Sequence, residues 1–155
     1  MTDESQKVGA LADAYQYSTF RVGKHLYGIG VKQVQEVVMP LKMTSVPLAP
    51  KFVKGLINLR GQVATAIDLR TLFGLDSGED KKFMNVVCKH ESGLTSLLVD
   101  EIGDVVEVFS KDFEQTPNTI PQSVKDFLTG VFKIGDSLLS IVDVEAIMKY
   151  VNTKK

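Results

Sequence analysis

A single cysteine, Cys88, stands among 155 residues. It cannot form an internal disulfide, which suits a reducing compartment. Excess charge is also lacking: 18 Lys and Arg stand against 19 Asp and Glu, a net charge of −1. That speaks against a nucleic-acid binder working by bulk electrostatics and leaves open only a local basic patch. No apolar run approaches the roughly 18 residues of a membrane-spanning helix, and no basic stretch followed by an apolar one opens the chain. A cytoplasmic protein without direct membrane insertion is expected. At 44% apolar and 24% charged residues, disorder is not expected beyond the ends.

Catalytic constellations are missing as well. His25 and His90 fall at hairpin turns without a Cys or Asp at triad spacing. Cys88-Lys89-His90 is too small a cluster for a structural zinc site, which takes four ligands, and Cys88 reads as a buried core thiol. The run Gly28 to Gln33 begins like a dinucleotide fingerprint but carries Gln33 where the third glycine belongs. Asp100, Glu101, Asp104 and Glu107 lack calcium-loop spacing and read as a solvated face. No enzyme, cofactor or metal is expected.

What is present is organised around Gly55 to Phe73. Leu56–Leu59 and Val63–Ile67 are apolar runs of strand length on either side of Arg60-Gly61, where glycine suits a tight reversal. Asp68 stands at an N-cap position, Leu69, Leu72 and Phe73 follow at helical spacing, and Gly74 closes the segment. Around this stretch the chain reads as short strands. Tyr15–Val22 and Leu26–Val31 pair across Gly23-Lys24, and Phe83–Cys88 pairs with Thr95–Val99; Val105–Phe109 is a further strand. Val34–Met39 fits either a short helix or a strand. Pro50 is placed as the first residue of one helical turn ending at Gly55. Residues 1–13 read as a tail, 76–82 as a linker and 151–155 as a second tail.

The organising stretch recurs. Displaced by 75 residues it lies without a gap on Gly130–Met148, matching Phe52 to Phe127, Gly55 to Gly130 and Asp68 to Asp143, with the apolar phase preserved. A looser match at a displacement of 68 places Val34 on Ile102, Glu36 on Asp104 and Val37 on Val105. The expected organisation is therefore one domain, 14–150, made of two similar β units of about 14–80 and 81–150, with exchange of strands between them allowed. Units of roughly 65–70 residues are small for independent stability, so the halves should share apolar surface. The seam between them is a natural groove.

Recognition by surface remains. On strand 55–60, Ile57 and Leu59 face the core, whereas Asn58 and Arg60 share the other face. A guanidinium at a rigid turn suits a carboxylate partner because its planar fork binds two oxygens. An intramolecular salt bridge or a solvated tip is the reading these residues favour by themselves. Val34 admits a groove contact or a core role, and Glu36 a specificity charge or ordinary surface. Asn58, Arg60 and Gly61 align with Lys133, Gly135 and Asp136 and so do not recur, which sets the polar turn apart from the scaffold.

These residues also carry a resemblance. Tyr27-Gly-Ile through Val34-Gln-Glu-Val37, Pro47 through Gly55-Leu-Ile-Asn-Leu-Arg-Gly61, and Ile67-Asp-Leu-Arg70 through Phe73-Gly74 resemble CheW-type chemotaxis coupling proteins in order and spacing. The likeness continues through Leu98-Val-Asp100 and Leu128-Thr-Gly130 and covers about Tyr15 to Lys149. Gly30 and the light segment Val63–Ile67 depart from the family pattern. The resemblance implies a mostly β fold of two intertwined five-stranded SH3-like barrels with a few short helices. It implies a non-enzymatic adaptor joining the cytoplasmic tips of methyl-accepting chemoreceptors to the regulatory domain of the histidine kinase CheA, recruited to membrane-associated arrays. It leaves room for other CheW copies as partners and for a paralogue serving another system such as twitching motility. Its receptor contacts carry over to Ile29, Val34, Glu36, Asn58, Arg60 and Gly61; Ile102 joins them through the repeat.

Overall fold

The structure is a computed structural model and describes residues 13–75, 83–91 and 93–153. The linker expected at 76–82 and nearly all of the expected N-terminal tail lie outside these residues. The first strand, β1 (Ala14–Val22), turns through Gly23 into β2 (His25–Gly30). A 3-10 turn, Val31–Gln33, leads to β3 (Val34–Val38), which settles the strand reading for this segment. Then come β4 (Val53–Leu59), β5 (Gln62–Asp68) and the single-turn helix α1 (Leu69–Leu72). The helical turn expected from Pro50 is a single hydrogen-bonded turn that ends before Gly55. The Val53 N–H reaches the Pro50 carbonyl at 3.0 Å, β4 begins at once, and Gly55 sits inside it. The second half contributes β6 (Met84–His90), β7 (Gly93–Val99), β8 (Glu101–Phe109), β9 (Phe113–Glu114), α2 (Gln122–Lys125), β10 (Leu128–Ile134), β11 (Ser137–Val142) and α3 (Val144–Thr153). Helix α3 runs past residue 150, where a tail was expected, because Val151 continues its buried stripe with Val144, Ile147 and Met148.

Two sheets form, in the orders β8-β1-β2-β11-β10-β9 and β3-β6-β7-β5-β4. The orders are the same sequence of parts with the two copies interchanged. The first hairpin, β1–β2, is flanked by β8 and β11 from the second copy, and the hairpin β6–β7 by β3 and β5 from the first. Both exchanges include a parallel contact, Leu139–Ile141 beside Leu26–Gly28 and Ala64–Asp68 beside Leu94–Leu98. The exchange follows from size: a 70-residue unit cannot bury enough surface alone, whereas interlocked units share one core. That core joins Phe20, Tyr27 and Ile29 of one sheet to Ile67, Val86 and Leu97 of the other, with α2 and α3 packed against them. Two smaller clusters belong to single sheets, one around Ile57 and Leu98, the other around Phe132 and Leu139.

The repeat extends to backbone detail. The Asp68 N–H donates to the Phe52 carbonyl at 2.7 Å, and the Asp143 N–H donates to the Phe127 carbonyl at 2.8 Å. Asp68 caps α1 by accepting the Arg70 N–H at 3.0 Å, and Asp143 accepts the Ala146 N–H at 3.0 Å. The β4–β5 and β10–β11 pairs each carry a register shift, just before Gly55 and Gly130 respectively. A Cβ on Gly55 would come within 2.6 Å of the Thr44 carbonyl oxygen, a backbone atom paired to Leu56. On Gly130 it would meet the ring of Phe113, a side chain 44% exposed and able to swing away. Gly55→Ala is therefore expected to cost about 1–3 kcal/mol and Gly130→Ala less. Denaturation midpoints of the two variants measure the difference; equal shifts would remove the Thr44 carbonyl from the explanation.

Candidate functional site

Strands β3 and β4 are the two outer strands of the five-stranded sheet. The turn that follows β4 reaches β3 through side chains, because Arg60 Nη2 donates to Glu36 Oε1 in an ion pair. The sheet is thus curled until its edges face each other, the geometry of a barrel. Glu36 reaches this position past a register shift between Val34 and Glu36, an extra residue of the kind that re-aims the side chain after it.

Arg60 is positioned by a tight turn. With only Arg60 and Gly61 between β4 and β5, both carry positive φ, 50° and 91°. A two-residue hairpin loop of this hand favours Asn, Asp or Gly at its first place. An arginine there costs about 1–2 kcal/mol of backbone strain. Asn58 stabilises the loop by accepting the Gly61 N–H on Oδ1 at 2.9 Å. The alternation of β4 is as expected, with Ile57 and Leu59 buried and Asn58 exposed. The Arg60 side chain is 71% exposed, so one face of the guanidinium meets Glu36 and the rest of its donors face solvent.

Four expected site residues, Glu36, Asn58, Arg60 and Gly61, thus converge at one rim. Val34 is half-buried nearby on β3 and packs against the inter-sheet core. Ile29 is different: it is fully buried within that core and offers no surface to a partner. Its strand, β2, is flanked on both sides, by β1 and β11, and both Tyr27 and Ile29 are covered. Ile102 lies on β8 opposite Phe20, in the other sheet, and is 36% exposed.

A groove is present whose lining includes none of the expected site residues. A cleft of about 420 Å³ is lined by Tyr15 and Tyr17 of β1, Gly30, Val31 and Lys32 at the passage to β3, and Glu107 of β8. It opens at the seam between the copies, where chain from both halves meets. In the sequence this segment shows as the Gly28–Gln33 glycine run and the end of the second strand, with nothing local to tie it to Tyr15 or Glu107. Tyr17 is half-buried here, and burial first, then the neighbouring Tyr15, raises its phenol above the ordinary value. Tyr15 and Tyr17 continue into an aromatic cluster with Phe132 and Phe113, with ring centroids 5.2–6.3 Å from that of Phe132. Cys88 is fully buried and burial pushes its thiol up to about 12, so it stays protonated and inert at neutral pH.

No helix among the described residues is long and apolar enough to cross a membrane. The family model for the CheW-like domain matches residues 16–152. The chain is 30% identical over 138 residues to the chemotaxis protein CheW of Helicobacter pylori, covering 88% of this chain and 83% of that one. It is 29% identical over 137 residues to the chemotaxis protein CheW of Treponema pallidum, covering 85% and 81%. The crystal structure of the scaffolding protein TtCheW from Thermoanaerobacter tengcongensis matches with a TM-score of 0.75 at 28% identity, over 84% of this chain and 89% of that one. Barrel architecture, interlocked repeat and family match agree along almost the whole length, and the chain belongs to the CheW family of chemotaxis proteins.

Proposed function

We propose that this protein is a non-enzymatic adaptor in a chemosensory array, joining the cytoplasmic tip of a methyl-accepting chemoreceptor to the regulatory domain of a CheA-type histidine kinase. The observation that carries the reading is the rim where Arg60, held at positive φ, stands with Glu36 beside Asn58 and Gly61. A strained, mostly exposed arginine is a poor choice for stability alone and a good one for engaging a carboxylate. The half-buried Val34 adds an apolar contact on the same strand, and a helical receptor tip presents an apolar stripe with flanking charges that suits such a rim. The signal passes as a change in the relative placement of receptor and kinase, without a chemical step in this chain. The protein works in the cytoplasm, recruited to membrane-associated arrays through the receptor.

Reconstitution tests the reading. Kinase autophosphorylation is measured with receptor-containing membranes in the presence and absence of this protein. A strong rise that needs all three components is expected; the same rate without this protein would reject the adaptor role.

A further inference from the structure

The six-stranded sheet carries an aromatic bowl at the start of β1 that the described residues leave open. Tyr15 and Tyr17 are two apart on one strand and share a face. Both lean on Phe132 of β10, with ring centroids at 6.3 and 5.6 Å, and Phe113 of β9 stands edge-on to the same ring at 5.2 Å. Phe132 is 3% exposed and forms the floor; Tyr15 and Phe113, 42% and 44% exposed, are walls. The rings enclose a cavity of about 320 Å³ with Ser110 at its margin, whose Oγ accepts the Asp13 N–H at 3.2 Å. Tyr15 and Tyr17 also line the 420 Å³ cleft, together with Gly30, Lys32 and Glu107, so the two hollows adjoin across the same pair of rings.

The lining decides which chemistry fits. The bowl contains no Lys, Arg, Asp or Glu, so neither an anion nor a bare cation finds a counter-charge there. Its polar side-chain groups are hydroxyls, and neither phenol has a hydrogen-bond partner among the described residues. Burial first, then Tyr15, raises the Tyr17 phenol, so it is a protonated donor at neutral pH. The site thus offers apolar ring faces beside two free donors. The carbonyls of an α-helix are spent within the helix and leave such donors unserved. A polyproline II segment makes no internal hydrogen bonds, so its carbonyls are available, and its pyrrolidine rings are apolar faces that aromatic grooves accept. Proline's fixed φ also lowers the entropy lost on docking. The adjoining cleft supplies length for an extended chain. A Cβ on Gly30 would meet nothing within 4 Å, so open space continues past the tyrosines toward Lys32 and Glu107.

We propose that bowl and cleft together are a docking trough for an extended, proline-rich segment of a partner protein, with prolines against Tyr15, Tyr17 and Phe113 and backbone carbonyls on the two phenols. The trough uses neither Arg60 nor Glu36. It stands apart from the receptor-docking reading, and the failure of that reading leaves it in place.

Calorimetric titration of the full chain with a capped peptide of three Pro-Pro-Ala repeats is the test. Saturable binding is expected, and none to a peptide of the same length with glycine in place of proline. Tyr15→Phe removes one donor and is expected to weaken binding roughly 2- to 10-fold. Phe113→Ala removes a wall and is expected to weaken it about tenfold or more. Gly30→Leu fills the adjoining cleft from a backbone position, φ −52° and ψ 134°, that any residue adopts, and a loss similar to that of Phe113→Ala is expected. If Phe113→Ala does not fold, Tyr15→Phe and Gly30→Leu carry the test. Tyr150→Phe takes a hydroxyl from a tyrosine outside the trough and should leave the affinity unchanged. Absence of saturable binding, equal affinity for the glycine peptide, or equal weakening by Tyr150→Phe overturns the proposal. Full binding by Gly30→Leu overturns the joining of the two hollows. Sedimentation gives the remaining outcome: a wild-type dimer that Phe113→Ala dissolves would mean that a second copy covers the bowl, which overturns the proline-rich occupant.

Discussion

Charge reversal at Arg60, Arg60→Glu, is expected to abolish receptor-dependent kinase activation in a protein that still folds. The two halves of this expectation have different physical origins. Arg60 and Glu36 form a surface pair, 71% and 23% exposed, and such pairs contribute about 0–1 kcal/mol to stability. Reversal replaces that attraction with two carboxylates at the barrel's closing edge, which the solvent-facing turn accommodates with a small loss of melting temperature. Function loses more. Truncating or reversing a charge that a partner desolvates costs about 2–5 kcal/mol of binding, roughly 30-fold or more. The exchanged double variant, Arg60→Glu with Glu36→Arg, separates the causes. It restores an ion pair between the same strands but presents the guanidinium from β3 rather than from the turn. If the pair serves only to close the barrel, the exchange rescues kinase activation. If Arg60 addresses a receptor carboxylate, the exchanged protein folds as well as the wild type and remains inactive. Rescue to wild-type activation would sink the partner-binding reading of this residue.

The largest effect on stability is expected from Phe20→Ala. Phe20 is fully buried in the core shared by both sheets and stacks on Tyr27, with centroids 6.1 Å apart and an interplanar angle of 22°. Truncating a buried phenylalanine costs about 3–5 kcal/mol, counting lost transfer energy and the cavity left behind. Set against a total of about 5–15 kcal/mol for a domain, this is a large share. The shape of the transition is as informative as its midpoint. Because the core around Phe20 includes residues of both sheets and of α2 and α3, the variant is expected to unfold in one cooperative step at a lower temperature. Calorimetry reads this directly: two separable transitions, with only one of them moved, would mean that the barrels are energetically independent.

Much of this arrangement was legible because local signals repeat. The turn at Arg60-Gly61, the cap at Asp68 and the inward phase of Ile57 and Leu59 are set by short-range chemistry, and their recurrence 75 residues later is visible without a structure. Family resemblance supplied the barrels and the adaptor role. What could not be read depends on distant pairing. Ile29 was carried over by likeness to the family's motif, and a motif match cannot say whether a side chain is covered; here β11 arrives from more than 100 residues away and pairs with β2, deep in the shared core. Glu36 and Arg60 are 24 positions apart and become neighbours only because the sheet's outer strands curl together. The cleft at Tyr15, Val31 and Glu107 needs three segments from both halves. The positive φ of Arg60 follows from the two-residue loop length; the strand limits read from the sequence left three residues, Arg60 to Gln62, between the runs and so did not fix it.

The reciprocal exchange of strands also bears on how the chain comes into being. During synthesis β1 and β2 emerge more than 100 residues before β11, the neighbour that β2 needs. The first hairpin must therefore wait, with its inner face uncovered, until β11 has been made. Sheet pairings of such long sequence separation form slowly and leave strand edges exposed to other chains in the interval. Neither half can complete its barrel alone, so fragments divided between α1 and β6 should remain unstructured apart and fold on mixing, each supplying the strands that the other lacks.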